Sequence, residues 1–305
     1  MNKKRGKKIM KIGMTLPSMV PDTEYSRDTT LDWCKVIDQG PFESISVGER
    51  TTYPNQEITV LLSAAAAITE RVKLYSTIFI LPTHATAVLA KQTATIDVLS
   101  NGRLTVGIGS GGREHDYIAA EKPFNNRFSR MEHQVYELKR LWAGEPPFTD
   151  ADPVGPTPVQ AGGPPLFAGV GGPKSLARAA QWADGLFGQN VGDGNYANFF
   201  QYVENAQQLW EEKGRKIKPY ITTSFWYALG PYAKTRLENY AKSYMEILGP
   251  SAVDYILSQQ SITSEAALID ALDTFEAAGC DEVILVPTSA ETAELERTIS
   301  ALAKK

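Results

Sequence analysis

The chain has 305 residues, 43% of them hydrophobic and 22% charged, with a formal net charge of -4. This is the balance of a soluble globular protein with room for a large core, and its weak negative charge offers no electrostatic footprint for nucleic acid. No apolar run approaches the ~18 residues of a membrane span, and the two cysteines, Cys34 and Cys280, form no spacing motif, so they read as buried small hydrophobes in a reducing, cytoplasmic setting.

In chain order, residues 1–9 open with Lys3, Lys4, Arg5, Lys7 and Lys8 and carry no apolar stretch of the kind a secretory signal needs, so a disordered basic tail is expected there. From residue 10 to 305 strand and helix patterns alternate as one domain. The strand candidates are Ile12–Leu16, Ser44–Val47, Lys73–Leu81, Leu104–Ile108, Leu166–Val170, Gly185–Gly188, Ile221–Leu229 and Glu282–Val286. Helical patterns fall at about Arg27–Gln39, Glu57–Thr69, Thr86–Leu99, Ser129–Trp142, Lys174–Trp182, Tyr196–Lys213, Glu265–Ala278 and Ala290–Ala303. Eight such alternations predict an α/β chain closed into a (β/α)8 TIM barrel rather than an open sheet. Two segments depart from the simple pattern. Ala143–Pro165, rich in Pro and Gly, predicts a long loop insertion after the fourth helix and is the candidate lid. Ala233–Gln260 is long for one barrel helix, and Gly249-Pro250 predicts its division into two.

Ligands of such barrels bind just past the strand C-termini, which filters the polar residues. The stretch Asn101 to Gly112 is informative. Asn101-Gly102 suits a helix end in the left-handed conformation, Leu104–Ile108 reads as a strand covered on both faces, and Gly107, Gly109 and Ser110 open a glycine loop whose backbone a flat ligand could approach. Glu49 and Arg50 follow the second strand, Thr77 and His84 the third, Arg113 the fourth, and Gln189 and Asn190 the sixth. Glu49 and His84 are candidates for acid–base work. Gly171-Gly172-Pro173-Lys174-Ser175 combines bare N–H groups, a Pro suited to a first helical turn and a hydroxyl, as a phosphate seat requires. Arg127 and Arg130 could reach a phosphate or a substrate carboxylate, but an exposed ion pair is the safer reading of either one alone. Phe79, Phe187, Trp226 and Tyr227 offer apolar walls, or plain core. No His/Cys/carboxylate cluster has metal spacing, and there is no nucleophile elbow or Walker loop.

Several of these segments resemble the luciferase-like monooxygenase family, the superfamily of bacterial luciferase and the F420-dependent oxidoreductases. The resemblance is carried by Leu99-Ser100-Asn101-Gly102-Arg103-Leu104 through Gly107, Gly109 and Gly111, then Arg127, Arg130 and Leu141-Trp142-Ala143-Gly144. Val47-Gly48-Glu49-Arg50, Thr77 to Thr83, Gly171-Gly172 with Ala177-Arg178-Ala179-Ala180, and Gly279 to Pro287 support it. It implies a TIM barrel that uses reduced FMN with O2, or the deazaflavin F420 in hydride transfer. It further implies a non-proline cis peptide near Thr77–Ile78 behind the cofactor ring, phosphate contacts at Gly171, Gly172 and Ser175, and a homodimer. Many members carry a His directly after the acid that matches Glu49, where this chain has Arg50. Arg50 would then hold an anionic substrate or the cofactor's pyrimidine edge, with His84 as a substitute base.

The expectation is therefore an oxidoreductase of this type: a monooxygenase with reduced FMN, O2 and a separate flavin reductase, since the Gly107-x-Gly109 stretch lacks the acidic partner of a nicotinamide site. F420-dependent hydride transfer and a non-catalytic flavin-binding barrel are the alternatives. A phosphosugar isomerase or lyase would need a catalytic Lys or paired carboxylates at strand ends, and neither is found.

Overall fold

The computed structural model describes residues 9–21, 26–188, 196–259 and 261–305. Residues 1–8 of the expected 1–9 tail, and Gln189 and Asn190, lie outside the described residues. In chain order the elements are β1 (Lys11–Thr15), α1 (Arg27–Gln39), β2 (Ser44–Val47), α2 (Ile58–Ile68), β3 (Lys73–Ser76), β4 (Phe79–Ile80) and α3 (Thr86–Leu99). Then come β5 (Leu104–Gly109), α4 (Glu114–Ala119), α5 (Arg127–Trp142), β6 (Leu166–Gly169), α6 (Pro173–Ala179), β7 (Gly185–Phe187) and α7 (Tyr196–Glu212). The chain closes with β8 (Tyr220–Tyr227), α8 (Ala233–Met245), α9 (Pro250–Gln259), α10 (Glu265–Ala277), β9 (Glu282–Pro287) and α11 (Thr292–Leu302).

All strand pairings are parallel, in the order β3-β2-β1-β9-β8-β7-β6-β5-β4, and β3 also pairs with β5. That last pairing closes the sheet into an eight-stave barrel, with β3 and β4 forming one broken stave. The expected continuous strand Lys73–Leu81 divides into β3 and β4 around the Thr77–Ile78 peptide bond, which is cis; the Thr77 N–H still keeps the β2–β3 ladder spacing, donating to Val47 O at 2.7 Å. Pro82 then sits in a 3-10 turn, Leu81–Thr83, where the strand was expected to end.

Local signals account for many of the boundaries. Ser26 caps α1 by accepting the Thr29 N–H at 3.0 Å, and Ser264 caps α10 through Ala267 N–H at 3.2 Å, as short hydroxyl side chains do. Asn101 and Gly102 have φ of 54° and 79°, the left-handed geometry that ends α3. Arg103, next in line, donates to Ser100 O, Val72 O, Ala66 O, Thr69 O and Thr69 Oγ1. One guanidinium thus ties the carbonyls at the end of α2 to the turn that starts β5.

The barrel interior is filled from the bottom. Glu282, fully buried at the start of β9, accepts from Ser44 Oγ, from Tyr75 Oη at 2.9 Å and from Tyr220 Oη at 3.0 Å. Burial raises its carboxyl above the ordinary range, with these donors pulling the other way. Above it Tyr75, Phe167 and Phe187 form an aromatic layer, with Phe167 and Phe187 centroids 5.4 Å apart. Gly107 is the counterpart of that layer: a Cβ there would lie 2.2 Å from Ser76 O and 2.4 Å from the Phe187 ring. This plug fills the lower barrel, beneath the mouth at the strand C-termini.

The expectation about the covering segment changes, and the expected division of Ala233–Gln260 is found. Residues 143–165 do form a long irregular connection, but they are no lid. Gln160 bonds Asp97 and the Leu104 carbonyl at the entrance of β5, and Lys91 holds Gly155 O at 2.8 Å. A connection that leads from a helix into a strand lies at the N-terminal face, opposite the mouth. The segment that covers the mouth is the other one. Ala233–Gln259 divides at Gly249 (φ 83°) into α8 and α9, and it follows β8 on the mouth side.

Candidate active site

A cavity of about 630 Å³ opens at the mouth, within the range of small-molecule sites. Its floor is Phe187 and Ile284 from the barrel interior with Thr77 and Ile78 from the broken stave; Gly48, Glu49 and Arg50 follow β2, Gly111 to Arg113 follow β5, and Trp226 ends β8. Tyr240, Tyr244 and Met245 of α8 and Ile256 of α9 close it from above. Trp226, Tyr240 and Tyr244 pack as one aromatic wall, with Tyr240 and Tyr244 stacked at 5.8 Å and Trp226 edge-on to each at 5.3 Å.

Glu49 is held at this mouth by short range and long range together. Val47 O receives the Thr77 N–H, which fixes the exit of β2 against the broken stave. Glu49 then accepts the Ile80 N–H through Oε2 and meets His84 Nε2 at 2.7 Å through Oε1. His84 is positioned in turn: its ring stands edge-on to Phe79 with centroids 5.6 Å apart, and its carbonyl accepts from Gln134 at 3.1 Å. The pairing of these residues, 35 positions apart, brings together two of the expected acid–base groups. Glu49 lines the cavity, and His84, outside the lining, stands behind it.

Arg50 also lines the cavity. Its guanidinium lies over the Tyr244 ring, 3.4 Å from the centroid, and 5.1 Å from that of Tyr53. Its Nη1 and the hydroxyl of neighbouring lining residue Ser18 are both sealed from solvent with no hydrogen-bond partner. Buried polar atoms are normally satisfied; the other two unbonded atoms of lining residues, Arg113 Nε and Asp116 Oδ2, face each other as an ion pair, whereas these two have no such partner among the described residues. The loop that carries Glu49 and Arg50 is pinned by Asp116, which is wholly buried on α4. Asp116 Oδ1 accepts from Thr51 N, Thr52 N and Thr52 Oγ1 at 3.1, 2.8 and 2.7 Å, and Oδ2 lies 3.3 Å from Arg113 Nε. Asp116 and the short helix α4 are absent from the sequence reading. A signal was present in Glu114 and Asp116, acids suited to a first helical turn.

Other expected site residues lie elsewhere. Gly107 and Gly109 do not line the cavity; a Cβ at Gly109 would sit 2.1 Å from Ile78 Cδ1. Their missing side chains make room for the protein's own Phe187 and Ile78, not for a ligand. Ser110 turns its carbonyl to the Tyr117 hydroxyl and is outside the lining. The open backbone is further on, at lining residue Gly112, where nothing would meet a Cβ within 4 Å; at its lining neighbour Gly111 a Cβ would lie 2.7 Å from Ile80 Cγ2. Gly171, Gly172 and Ser175 also lie outside the lining. The Gly172 N–H donates to Ser175 Oγ at 3.2 Å, and the Ser175 hydroxyl donates to Gly172 O at 2.8 Å, at the solvent-exposed start of the seven-residue α6. Arg127 stacks on Phe124 at 3.8 Å and donates to Gly111 O, and Arg130 donates to Pro123 O, so both organise the loop after β5. Phe187 and Trp226 serve as walls, whereas Phe79 and Tyr227 are core. Among the described residues no group of His, Cys, Asp and Glu could hold a metal ion, and no helix is long and apolar enough to cross a membrane.

Comparison with known proteins is consistent with this geometry. The family model described as luciferase-like monooxygenase matches residues 10–283. The oxygenase component of a flavin-dependent trigonelline monooxygenase of Acinetobacter baylyi is 27% identical over 50% of this chain and 46% of its own length. An F420-dependent glucose-6-phosphate dehydrogenase of Nocardia farcinica is 31% identical over 41% of this chain and 40% of its own length. The chain thus spans about half the length of the curated relatives it matches. Among solved structures, the monooxygenase RslO1 of Streptomyces bottropensis superposes with a TM-score of 0.77 at 19% identity, covering 97% of this chain and 98% of that one, which shows the same barrel fold.

Proposed function

Because the chain belongs to the luciferase-like monooxygenase family, we propose that it is an oxidoreductase that holds reduced FMN at the barrel mouth and uses O2 to oxygenate a small organic substrate. The observation that carries the reading is the cavity itself: a floor of Thr77 and Ile78, an open backbone at Gly112, and the hydroxyl of lining residue Ser18, which has no hydrogen-bond partner among the described residues. These residues fit a flat, polar-edged ring lying on the broken stave. The phosphate would leave the ring toward Gly171, Gly172 and Ser175, since β6 stands between β5 and β7, and both neighbours contribute lining residues. When bound, reduced flavin supplies the electrons that activate oxygen.

The protein's own part is binding, orientation and proton control. Glu49 presents a carboxylate to the cavity with its second oxygen on the Ile80 N–H, so its position is fixed before any ligand arrives. His84, behind it, can exchange a proton with Glu49 Oε1 without entering the cavity. The α8–α9 cover keeps bulk water off the reacting atoms. A separate flavin reductase would deliver the reduced cofactor, and a second copy of the chain is the expected partner, with exposed Val60 and Val88 on adjoining helices α2 and α3 offering an apolar face. The second reading, F420-dependent hydride transfer, has the support of the Nocardia relative.

Purified protein supplied with a flavin reductase, FMN and NADH under O2, in parallel with reduced and oxidised F420 without O2, tests the proposal against an aldehyde, ketone and aromatic acid panel. Substrate oxygenation only with reduced FMN supports it. Turnover only with F420 transfers the assignment to the second reading. Binding of either cofactor without turnover of any panel member would make the barrel a non-catalytic flavin carrier.

A further inference from the structure

Resting on the reading of this cavity as the reaction site, we propose that its substrate is a small planar carboxylate, and that Arg50 is the residue that selects it. The other charges at the mouth are already committed. Arg113 is paired with Asp116 at 3.3 Å and donates to Thr52 O at 3.1 Å. Glu49 is bound to His84 and to the Ile80 N–H. Arg50 is different. Among the described residues no carboxylate lies within ion-pair distance of it, and its Nη1 is sealed from solvent without a hydrogen-bond partner.

A guanidinium in this condition is costly unless something compensates it. The Tyr244 ring, 3.4 Å from the guanidinium carbon, covers its face and supplies quadrupole attraction. It does nothing for the N–H donors, which point outward in the guanidinium plane. The clamp is itself rigid. Tyr244 stacks on Tyr240, and Tyr53 is fixed through its hydroxyl to Ser243 Oγ at 2.8 Å. The guanidinium is therefore clamped at the cavity wall.

The chemistry of the ligand follows from that count. One uncommitted fork matches one monoanion, and a planar fork fits a planar carboxylate through two parallel bonds. A phosphate dianion would call for a second free cation at the mouth, and Arg113 is spent. The remaining wall, Trp226, Tyr240 and Met245, is flat and apolar and suits a ring. A conjugated or aromatic ring bearing a single carboxylate satisfies both halves.

The experiment titrates benzoate, benzamide and benzenesulfonate into the protein by calorimetry, both without cofactor and anaerobically with saturating reduced FMN. Wild type, Arg50→Met and Arg50→Lys are compared. Benzoate should bind wild type at least about tenfold more tightly than benzamide. Arg50→Met should abolish that preference while its affinity for reduced FMN changes less than about threefold, and Arg50→Lys, which keeps the charge but not the fork, should restore it in part. Equal affinity for benzoate and benzamide overturns the proposal, as does a preference for benzenesulfonate. Loss of FMN affinity in Arg50→Met would assign Arg50 to the cofactor instead and equally overturn it. If reduced FMN fails to bind wild type, the functional reading fails. The cofactor-free titration still decides the Arg50 assignment: a benzoate preference supports it, and its absence refutes it.

Discussion

Replacing Gly109 with alanine should disturb the cavity floor and leave the barrel standing. Gly109 lies in β5, outside the positive-φ residues, so alanine costs no backbone strain there. The added methyl would stand 2.1 Å from Ile78 Cδ1, with the next atoms at 3.6 Å. The clash is thus with the far end of one flexible side chain, and Ile78 can escape by rotating into the cavity. Overpacking of this kind costs about 1–3 kcal/mol, at the low end here because a single terminal methyl must move. For a domain of this size that is a fall in Tm of roughly 2–6 °C. The displaced methyl would occupy the surface on which we place the flavin ring, so reduced FMN should bind at least about tenfold more weakly, an effect of ~1.4 kcal/mol. Gly107→Ala differs in kind, because its methyl would lie 2.2 Å from the Ser76 backbone carbonyl, which cannot rotate away. It should cost more than about 3 kcal/mol or yield no soluble protein. The decisive variant is Gly109→Ala combined with Ile78→Val, which deletes Cδ1. Calorimetric Tm and anaerobic FMN titration should both return most of the way to wild type. A double variant no better than Gly109→Ala alone would refute the packing argument.

Three further outcomes are expected. Arg103→Met removes the guanidinium that serves five acceptors at the ends of α2 and α3; with partial rehydration of those carbonyls it should lower stability by about 2–4 kcal/mol in urea unfolding, and a change under about 0.5 kcal/mol would contradict the role. Burial raises the Glu294 carboxyl from 4.5 to about 7, against the pull of Arg297 and Arg236. The folded state therefore holds this proton more tightly than the unfolded state, and the group's contribution to stability is fullest below 4.5 and is lost as pH rises to about 7. Wild type should lose Tm relative to Glu294→Gln across that window, and parallel Tm profiles would contradict it. Finally, Glu49→Gln should lower kcat about 100-fold and His84→Gln by less, with affinity for reduced FMN held within about threefold in both; unchanged turnover in Glu49→Gln would remove the carboxylate from the chemistry.

The barrel was legible in the sequence because its signals are local. Alternating apolar strands, cap residues such as Ser264, and Asn101-Gly102 at a left-handed helix end each depend on neighbours a few positions away. Glu49, Arg50 and Thr77 were reached by the rule that places ligands at strand C-termini, and Ile78 through the family resemblance. The errors arose where the answer depends on which atoms meet across the fold. Gly107 and Gly109 look like a ligand's approach, but their space belongs to Phe187 and Ile78, residues 80 and 31 positions away. The loop over 143–165 has a lid's composition, and only the order of helix and strand around it places it at the bottom. Asp116 carries no motif: its importance comes from three donors in a loop more than sixty residues earlier. Likewise Tyr244, which holds Arg50, sits in an excursion after β8 that periodicity marks as helix without saying what it covers.

The most direct test of the central claim is an anaerobic titration of the wild-type protein with reduced FMN, and separately with F420, followed by fluorescence and thermal shift. The account predicts saturable one-to-one binding of reduced FMN with a raised Tm. Binding of neither cofactor would contradict the assignment of the mouth cavity as a flavin site, and binding of F420 alone would remove oxygen chemistry from it.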